Sequence, residues 1–211
     1  MITKLDRVEV RVLGVLLEKE KTTPDYYPLS VNAVKVASNQ KSNREPVMEL
    51  GDNQIMDTLS MLDRKAYIMK QPLSEARTLK YAHRLKSLHD FSDAEVAILC
   101  VLFLRGPQTI GELRTRTQRM FAFEDLAQVQ QALAHLLDED FGPFVCQLPK
   151  QAGSSANRYA HLFSGEVAIE EVQRVSADKS LPESSALATR VTELENQVND
   201  LIERLTKLES K

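Results

Sequence analysis

A tetrad occurs twice in this chain. Lys80-Tyr81-Ala82-His83 recurs as Arg158-Tyr159-Ala160-His161, with a Pro-containing turn upstream of each copy at Pro72 and Pro149. The order of segments around each copy recurs too: a long apolar helix, two shorter helical patterns, then two short strands. A recurring segment order marks a duplicated unit. At 211 residues the chain is long enough for two such units, each of roughly 75–90 residues and able to bury a modest core. Charged residues make up 27% and aromatics 6%, with no Trp. That balance suits a helix-rich folded protein and argues against disorder.

In the first unit, Leu5, Val8, Val12, Val15 and Leu16 fall at helical spacing, which predicts a helix from about Leu5 to Lys19 capped by Thr3-x-x-Asp6. The run Thr22 to Pro28 breaks the chain, and Ser30 is placed to cap a short helix over Val31–Ala37. After a polar loop, a third helix is expected from near Asp52, with Ile55, Leu59 and Leu62 on one face, then strands at about 66–70 and 79–83. The second unit repeats this. Ser92-x-x-Glu95 reads as a capping box with Phe91 and Val96 as its hydrophobic staple, and the helix stops at Gly106-Pro107. Thr109-x-x-Glu112 caps a second helix, a third covers about Glu124 to Asp138, and strands follow at about 143–148 and 157–163.

Three helices and a hairpin are the order of a winged helix-turn-helix. The expected class is mainly α with small β-hairpins (α+β). Two tandem winged helix-turn-helix domains occupy residues 1–90 and 91–164, with a linker over 165–181 and a coiled-coil helix over 182–211. In that last segment Leu187, Val191, Leu194, Val198, Leu201, Leu205 and Leu208 alternate in steps of four and three. A parallel pairing sets Arg190 against Glu195 and Arg204 against Glu209 of a second copy, so the pattern points to a parallel homodimer. The competing reading is a helix folded back on its own chain.

Three polar stretches carry a family resemblance: Glu18-Lys19-Glu20-Lys21-Thr22-Thr23-Pro24-Asp25, Tyr27 to Asn32, and Asn39-Gln40-Lys41-Ser42-Asn43-Arg44-Glu45-Pro46-Val47. With Leu104 to Thr109, Gly111 to Arg114 and His161 to Val167, they resemble the uncharacterised bacterial YceH family over about residues 3–167. That resemblance implies tandem winged-helix domains and brings no established activity.

Net charge is −3, unevenly spread. Residues 1–90 hold 15 Lys/Arg against 12 Asp/Glu, whereas 91–164 hold 6 against 8 and 165–211 hold 6 against 10. The first 90 residues are therefore the electrostatic candidate for nucleic acid. The sharpest local signal is the loop Asn39–Arg44. Lys41 and Arg44 suit phosphates, and Gln40 and Asn43 suit phosphates or base edges. Asn32 and Lys35 on the preceding helix extend the same polar surface. The other reading of the loop is structural, with its side chains capping helix ends and tying the turn to Asp25 or Glu45. Arg77 and Lys80 in the first hairpin, and Arg116 with Arg119 on one helical face of the second unit, are further candidate contacts to double-stranded DNA. The third helices read poorly for groove recognition, because Asp52, Asp57 and Asp63 mark one and Glu124, Asp125, Asp138 and Glu139 the other.

Cys100 and Cys146 sit in apolar runs, as buried free thiols in a reducing compartment would. The longest apolar run, Val96 to Leu104, is too short to span a bilayer. The N-terminus lacks a signal-peptide pattern, so the expectation is a cytoplasmic protein without a membrane partner. No metal-ligand spacing, phosphate-binding glycine loop or nucleophile motif is present. Neither a cofactor nor an enzymatic activity is expected. The chemistry points to a DNA-binding protein of transcription-regulator type, with a protein-binding winged-helix adaptor as the alternative.

Overall fold

The computed structural model describes residues 3–73, 76–150 and 156–165. The linker and the heptad positions Leu187 to Leu208 lie outside the described residues. One compact unit spans Met1–Val167, and it contains the same arrangement twice. The first copy consists of α1 (Arg7–Thr22), a 3-10 turn over Pro24–Tyr26, β1 (Leu29–Ser30), α2 (Val31–Ser38), α3 (Asp52–Arg64), β2 (Ile68–Leu73) and β3 (Ala76–His83). A short α4 (Leu85–His89) leads to the second copy: α5 (Asp93–Arg105), β4 (Gln108–Thr109), α6 (Ile110–Thr117), α7 (Leu126–Leu137), β5 (Val145–Gln147) and β6 (Arg158–His161). Residue 90 lies in the turn between α4 and α5.

The two sheets have the orders β1-β3-β2 and β4-β6-β5, antiparallel throughout. Leu29 pairs with Tyr81 and Ser30 with Lys80, while Gln108 pairs with Tyr159 and Thr109 with Arg158. The twin tetrads are thus the central strands of two three-stranded sheets in one register. Each copy is a mixed α/β, winged-helix-like unit.

Short polar side chains fix where the helices begin. Asp6 Oδ1 accepts from the backbone N of Val8 and Glu9 at 2.8 Å, and Glu9 Oε2 accepts from Asp6 N at 2.7 Å. The capping box is therefore Asp6/Glu9, one turn later than the expected Thr3/Asp6. Ser92 with Glu95 and Thr109 with Glu112 form the boxes read from sequence. Glu9 and Glu95 are buried, and each ties its long helix to the third helix of its copy. Lys65 Nζ, just past α3, donates to Glu9 Oε2 at 2.7 Å, and His135 Nδ1 on α7 contacts Glu95 Oε1.

The long helices α1 and α5 form the centre. Every residue from Glu9 to Leu17 and from Glu95 to Leu104 is buried; α5 is apolar nearly all round, as a helix buried on every side should be, whereas α1 carries Glu9 and Arg11 into the interior. They meet at Gly14. A Cβ there would lie 2.9 Å from Leu104 Cδ2 and 3.0 Å from Phe103 Cβ, so the missing side chain is what admits α5 so closely. Cys100 Sγ donates to Gly14 O at 3.4 Å, and burial pushes that thiol well above its ordinary value. Aligning Glu9 with Glu95 makes Gly14 and Cys100 equivalent positions, so equivalent residues touch each other.

A second seam is aromatic. Phe144 packs on Phe91 at 4.7 Å and on His89 at 4.9 Å, and Phe163 on Phe103 at 5.0 Å and Tyr67 at 6.2 Å. Leu5 N donates to Phe163 O at 2.7 Å, joining the end of the second copy to the start of the first.

The histidines of the tetrads differ. His83 Nε2 lies 3.0 Å from Glu20 Oε2. The ring of His161 stands on Phe103 at 5.0 Å, and its Nδ1 is shut off from solvent without a hydrogen-bond partner.

A side chain at the helix crossing should be costly. Gly14→Val should lose about 1–3 kcal/mol by urea denaturation, the usual penalty of overpacking. Gly111→Ala, at a helical position with nothing within 4 Å, should be neutral or stabilise by up to about 1 kcal/mol. Burial lowers the His161 imidazole from 6.5 to about 4, so between those values the unfolded chain takes up the proton first. That contribution to instability is absent above pH 6.5, grows as the pH falls, and is complete below about 4. In His161→Leu the plot of stability against pH should be flatter across that window.

Candidate nucleic-acid interface

The loop between α2 and α3 is built from side chains that replace backbone pairing. Asn39 closes it: its Nδ2 donates to Leu50 O at 2.9 Å, and its Oδ1 accepts from Leu50 N at 2.8 Å. Asn43 takes a left-handed conformation at φ 61°, which Asn tolerates better than most residues. Its Oδ1 accepts from Arg105 Nη2, and Glu45 N donates to Leu104 O at 2.7 Å. The loop is thereby pinned to the C-terminal end of α5.

Arg44 is the interior anchor. Its side chain is 0% exposed, and all five of its N–H donors are engaged. Nε donates to Ala37 O at 3.0 Å; Nη1 donates to Glu18 Oε1 at 3.1 Å and Asn43 O at 3.0 Å; Nη2 donates to Glu18 Oε2 at 2.6 Å and Gln40 Oε1 at 2.9 Å. A fork-to-carboxylate pair of this kind is strong and directional. Burial pushes the Glu18 carboxyl up, but the hydrogen bonds and charge of Arg44, with Lys19 beside them, outweigh it and hold the group below its ordinary 4.5. Arg44 therefore has no donor left for a phosphate, which corrects the expectation for that residue. The structural reading of the loop applies here, with Glu18 as the partner in place of Asp25 or Glu45. Beneath the loop, buried Arg11 donates to Ser38 O at 3.1 Å and Pro46 O at 2.6 Å. Burial, with Arg44 nearby, lowers its guanidinium to about 10.

Above this anchor lies an open groove of about 470 Å³. It gathers Gln40, Lys41 and Asn43 from the loop, Lys19 and Thr22 from α1, and Arg119 from the second copy. Lys41 and Arg119 are exposed, and neither has an ion-pair partner among the described residues. Lys19 pairs with Glu18 at 3.1 Å. The amides of Gln40 and Asn43 have their oxygens held by arginine donors, and their NH2 groups have no hydrogen-bond partner among the described residues. The groove therefore presents mostly donors.

The remaining expected contacts lie elsewhere. Asn32 is exposed on α2, and Lys35 pairs with Asp52 at 2.8 Å, joining α2 to the start of α3. Arg77 and Lys80 lie on β3, with Lys80 half-buried. Arg116 contacts Gln108 Oε1 and pairs with Glu112 at 3.1 Å. The expected helical face shared by Arg116 and Arg119 does not form, because α6 ends at Thr117; Arg119 instead reaches the groove from the following turn. Sequence reasoning missed Lys19, Glu18 and Arg105. The alternating charges of residues 18–21 are the available signal, but nothing local in them names Arg44 as a partner.

The third helices also need correction. No carboxylate lies within α7: Glu124, Asp138 and Glu139 flank it and Asp125 is its N-cap. Its exposed face carries Gln130 and Gln131. On α3, by contrast, Asp52 and Asp57 are exposed beside Met56 and Met61. Among the described residues no cluster of three or more His, Cys, Asp or Glu could hold a metal ion, and no helix is long and apolar enough to cross a membrane.

Loss of the anchor should show first in stability. Arg44→Met removes the buried guanidinium, strips the half-buried Glu18 carboxylate of its main partner and should cost about 3–5 kcal/mol in urea melts, whereas exposed Lys41→Gln should stay within about 0.5 kcal/mol of wild type. Because Glu18 is held below its ordinary value, its contribution is complete above pH 4.5 and fades as the pH falls through the lowered one. The Arg44→Met variant should lack that acid-labile part.

Similar chains are known. The UPF0502 protein VPA1223 of Vibrio parahaemolyticus serotype O3:K6 is 42% identical over 100% of this chain and 97% of its own length. The UPF0502 protein Ent638_1581 of Enterobacter sp. (strain 638) is 45% identical over 97% and 96%, and a UPF0502 protein of Serratia proteamaculans is 42% identical over 97% and 95%. Residues 5–154 match the family described as "Protein of unknown function, DUF480". With that match covering most of the chain and relatives aligned along nearly all of it, the protein belongs to the uncharacterised bacterial DUF480/UPF0502 family.

Proposed function

We propose that this chain, a relative of the YceH family by resemblance, is a DNA-binding protein of transcription-regulator type with no catalytic step. One observation carries the reading: Lys41 and Arg119, one from each copy, flank a single groove with no ion-pair partner among the described residues. Exposed cations without partners are the groups that displace counterions from a phosphate backbone. Gln40 and Asn43 would donate to phosphate oxygens. Bidentate recognition of adenine needs both the oxygen and the NH2 of an amide in one free plane, and here each oxygen already accepts from an arginine that fixes its orientation. These loop contacts would therefore position the duplex, and α7, free of carboxylates, is the better candidate for base edges. A cytoplasmic site of action and a parallel homodimer through the heptads, whose avidity would join weakly basic units, belong to the same proposal.

A second reading has its own support. Met56 and Met61 on α3 are 46% and 39% exposed on an acidic face, a composition that suits an adaptable protein-binding surface.

Fluorescence-anisotropy titration on mixed genomic duplex fragments at two salt concentrations tests the first reading. Wild type should bind with steep salt dependence. Lys41→Gln/Arg119→Gln should lower the salt slope by about two, each phosphate that is no longer neutralised accounting for about 0.9. Absence of binding even at low salt would overturn the DNA reading. Salt-insensitive capture of a protein that Met56→Lys abolishes would establish the adaptor.

A further inference from the structure

We infer that the groove between the two copies is a recognition site for a phosphorylated sugar, free or within a mononucleotide. This inference rests on the groove alone and does not require duplex binding. The volume of about 470 Å³ falls in the range of small-ligand sites, roughly 300–1,000 Å³. The lining offers two kinds of group. Lys19, Lys41, Arg119 and the NH2 groups of Gln40 and Asn43 can only donate, and the Ser42 hydroxyl can do either. Two hydroxyls of α1 and its C-cap have their hydrogens already used: Thr22 Oγ1 donates to Glu18 O at 2.9 Å and Thr23 Oγ1 to Lys19 O at 3.3 Å. Their oxygens can only accept. A molecule that carries both a dianionic phosphate and free hydroxyls satisfies the two kinds together. Inorganic phosphate would leave the threonines unused, and an unphosphorylated sugar would leave the cations unused.

The two features that would repel an anion here are compensated. Both oxygens of Glu18 are occupied by Arg44, and Lys19 lies beside them. The negative end of the α1 dipole is met by Lys19 and Lys21 in its last turn. Because Lys41 and Arg119 belong to different copies, an occupant would bridge the two halves. It would also occupy the cations proposed for DNA, so ligand and duplex would compete.

Isothermal titration of the full chain with ribose 5-phosphate, AMP, inorganic phosphate and adenosine tests this. Ribose 5-phosphate and AMP should bind, adenosine should not, and inorganic phosphate should bind at least tenfold more weakly than ribose 5-phosphate. Lys41→Gln/Arg119→Gln should weaken ribose 5-phosphate at least tenfold without changing the melting temperature. Thr22→Val/Thr23→Val should weaken ribose 5-phosphate and leave inorganic phosphate unchanged. The inference is overturned if no phosphate compound binds at millimolar concentration, if inorganic phosphate binds as tightly as ribose 5-phosphate, or if the Lys41/Arg119 variant binds like wild type. Duplex binding without organic-phosphate binding would sink this inference and leave the DNA reading standing; the reverse result would do the opposite.

Discussion

The approach of α1 to α5 at Gly14 sets the rest of the structure. Two helices buried on every side can only be satisfied by each other and by the elements folded around them. The missing Cβ at Gly14 sets how near they come. Their ends then deliver the parts of the groove: Glu18, Lys19 and Thr22 from α1, and Arg105, which holds Asn43, from α5. Two separately folded units joined by a flexible link would not hold Arg119 and Lys41 on one recess.

The charged residues of this protein divide into interior and surface roles that composition does not distinguish. Arg44, Arg11, Glu9 and Glu95 are buried and form cross-links between segments distant in sequence. Burying a charge is unfavourable unless its partners are complete, and the five bonds of Arg44 meet that demand. Lys41, three residues earlier, carries the same charge with no partner among the described residues. The same short loop thus holds one cation committed to the fold and one available to a ligand.

Much of the fold was legible because its signals are local. Ser92 with Glu95, Thr109 with Glu112 and the Gly106-Pro107 stop each lie within one helical turn, and the duplicated tetrad exposed the repeat. Other elements lay below that horizon. Strands β1 and β4 have two residues each, too few for any periodicity, and they exist because each pairs with a tetrad about fifty residues away. Asp6 displaced Thr3 as the cap because Glu9, three residues on, completes the box from a buried position where Lys65 also reaches it. The site was legible as residue types and not as geometry. Gln40, Lys41, Asn43 and Arg119 do converge, but the burial of Arg44 depends on Glu18, twenty-six residues back, and Arg119 reached the groove only because α6 stops at Thr117.

The contact between Gly14 and Cys100 joins equivalent positions of the two copies, as happens across a two-fold axis. The neighbours are exchanged in the same way: Leu104 lies on Gly14, and the field of its counterpart Glu18 reaches Cys100. In an assembly of two identical chains, both sides of such a contact must carry the same residue, so any change is felt twice. Fusing the halves into one chain removes that obligation. One position can stay a glycine to let the helices close while its twin becomes a thiol. Likewise one helix can carry a carboxylate that anchors a loop, Glu18, where the other carries Leu104. The asymmetry that builds this groove from unlike parts of the two copies is a freedom that only the duplicated chain has.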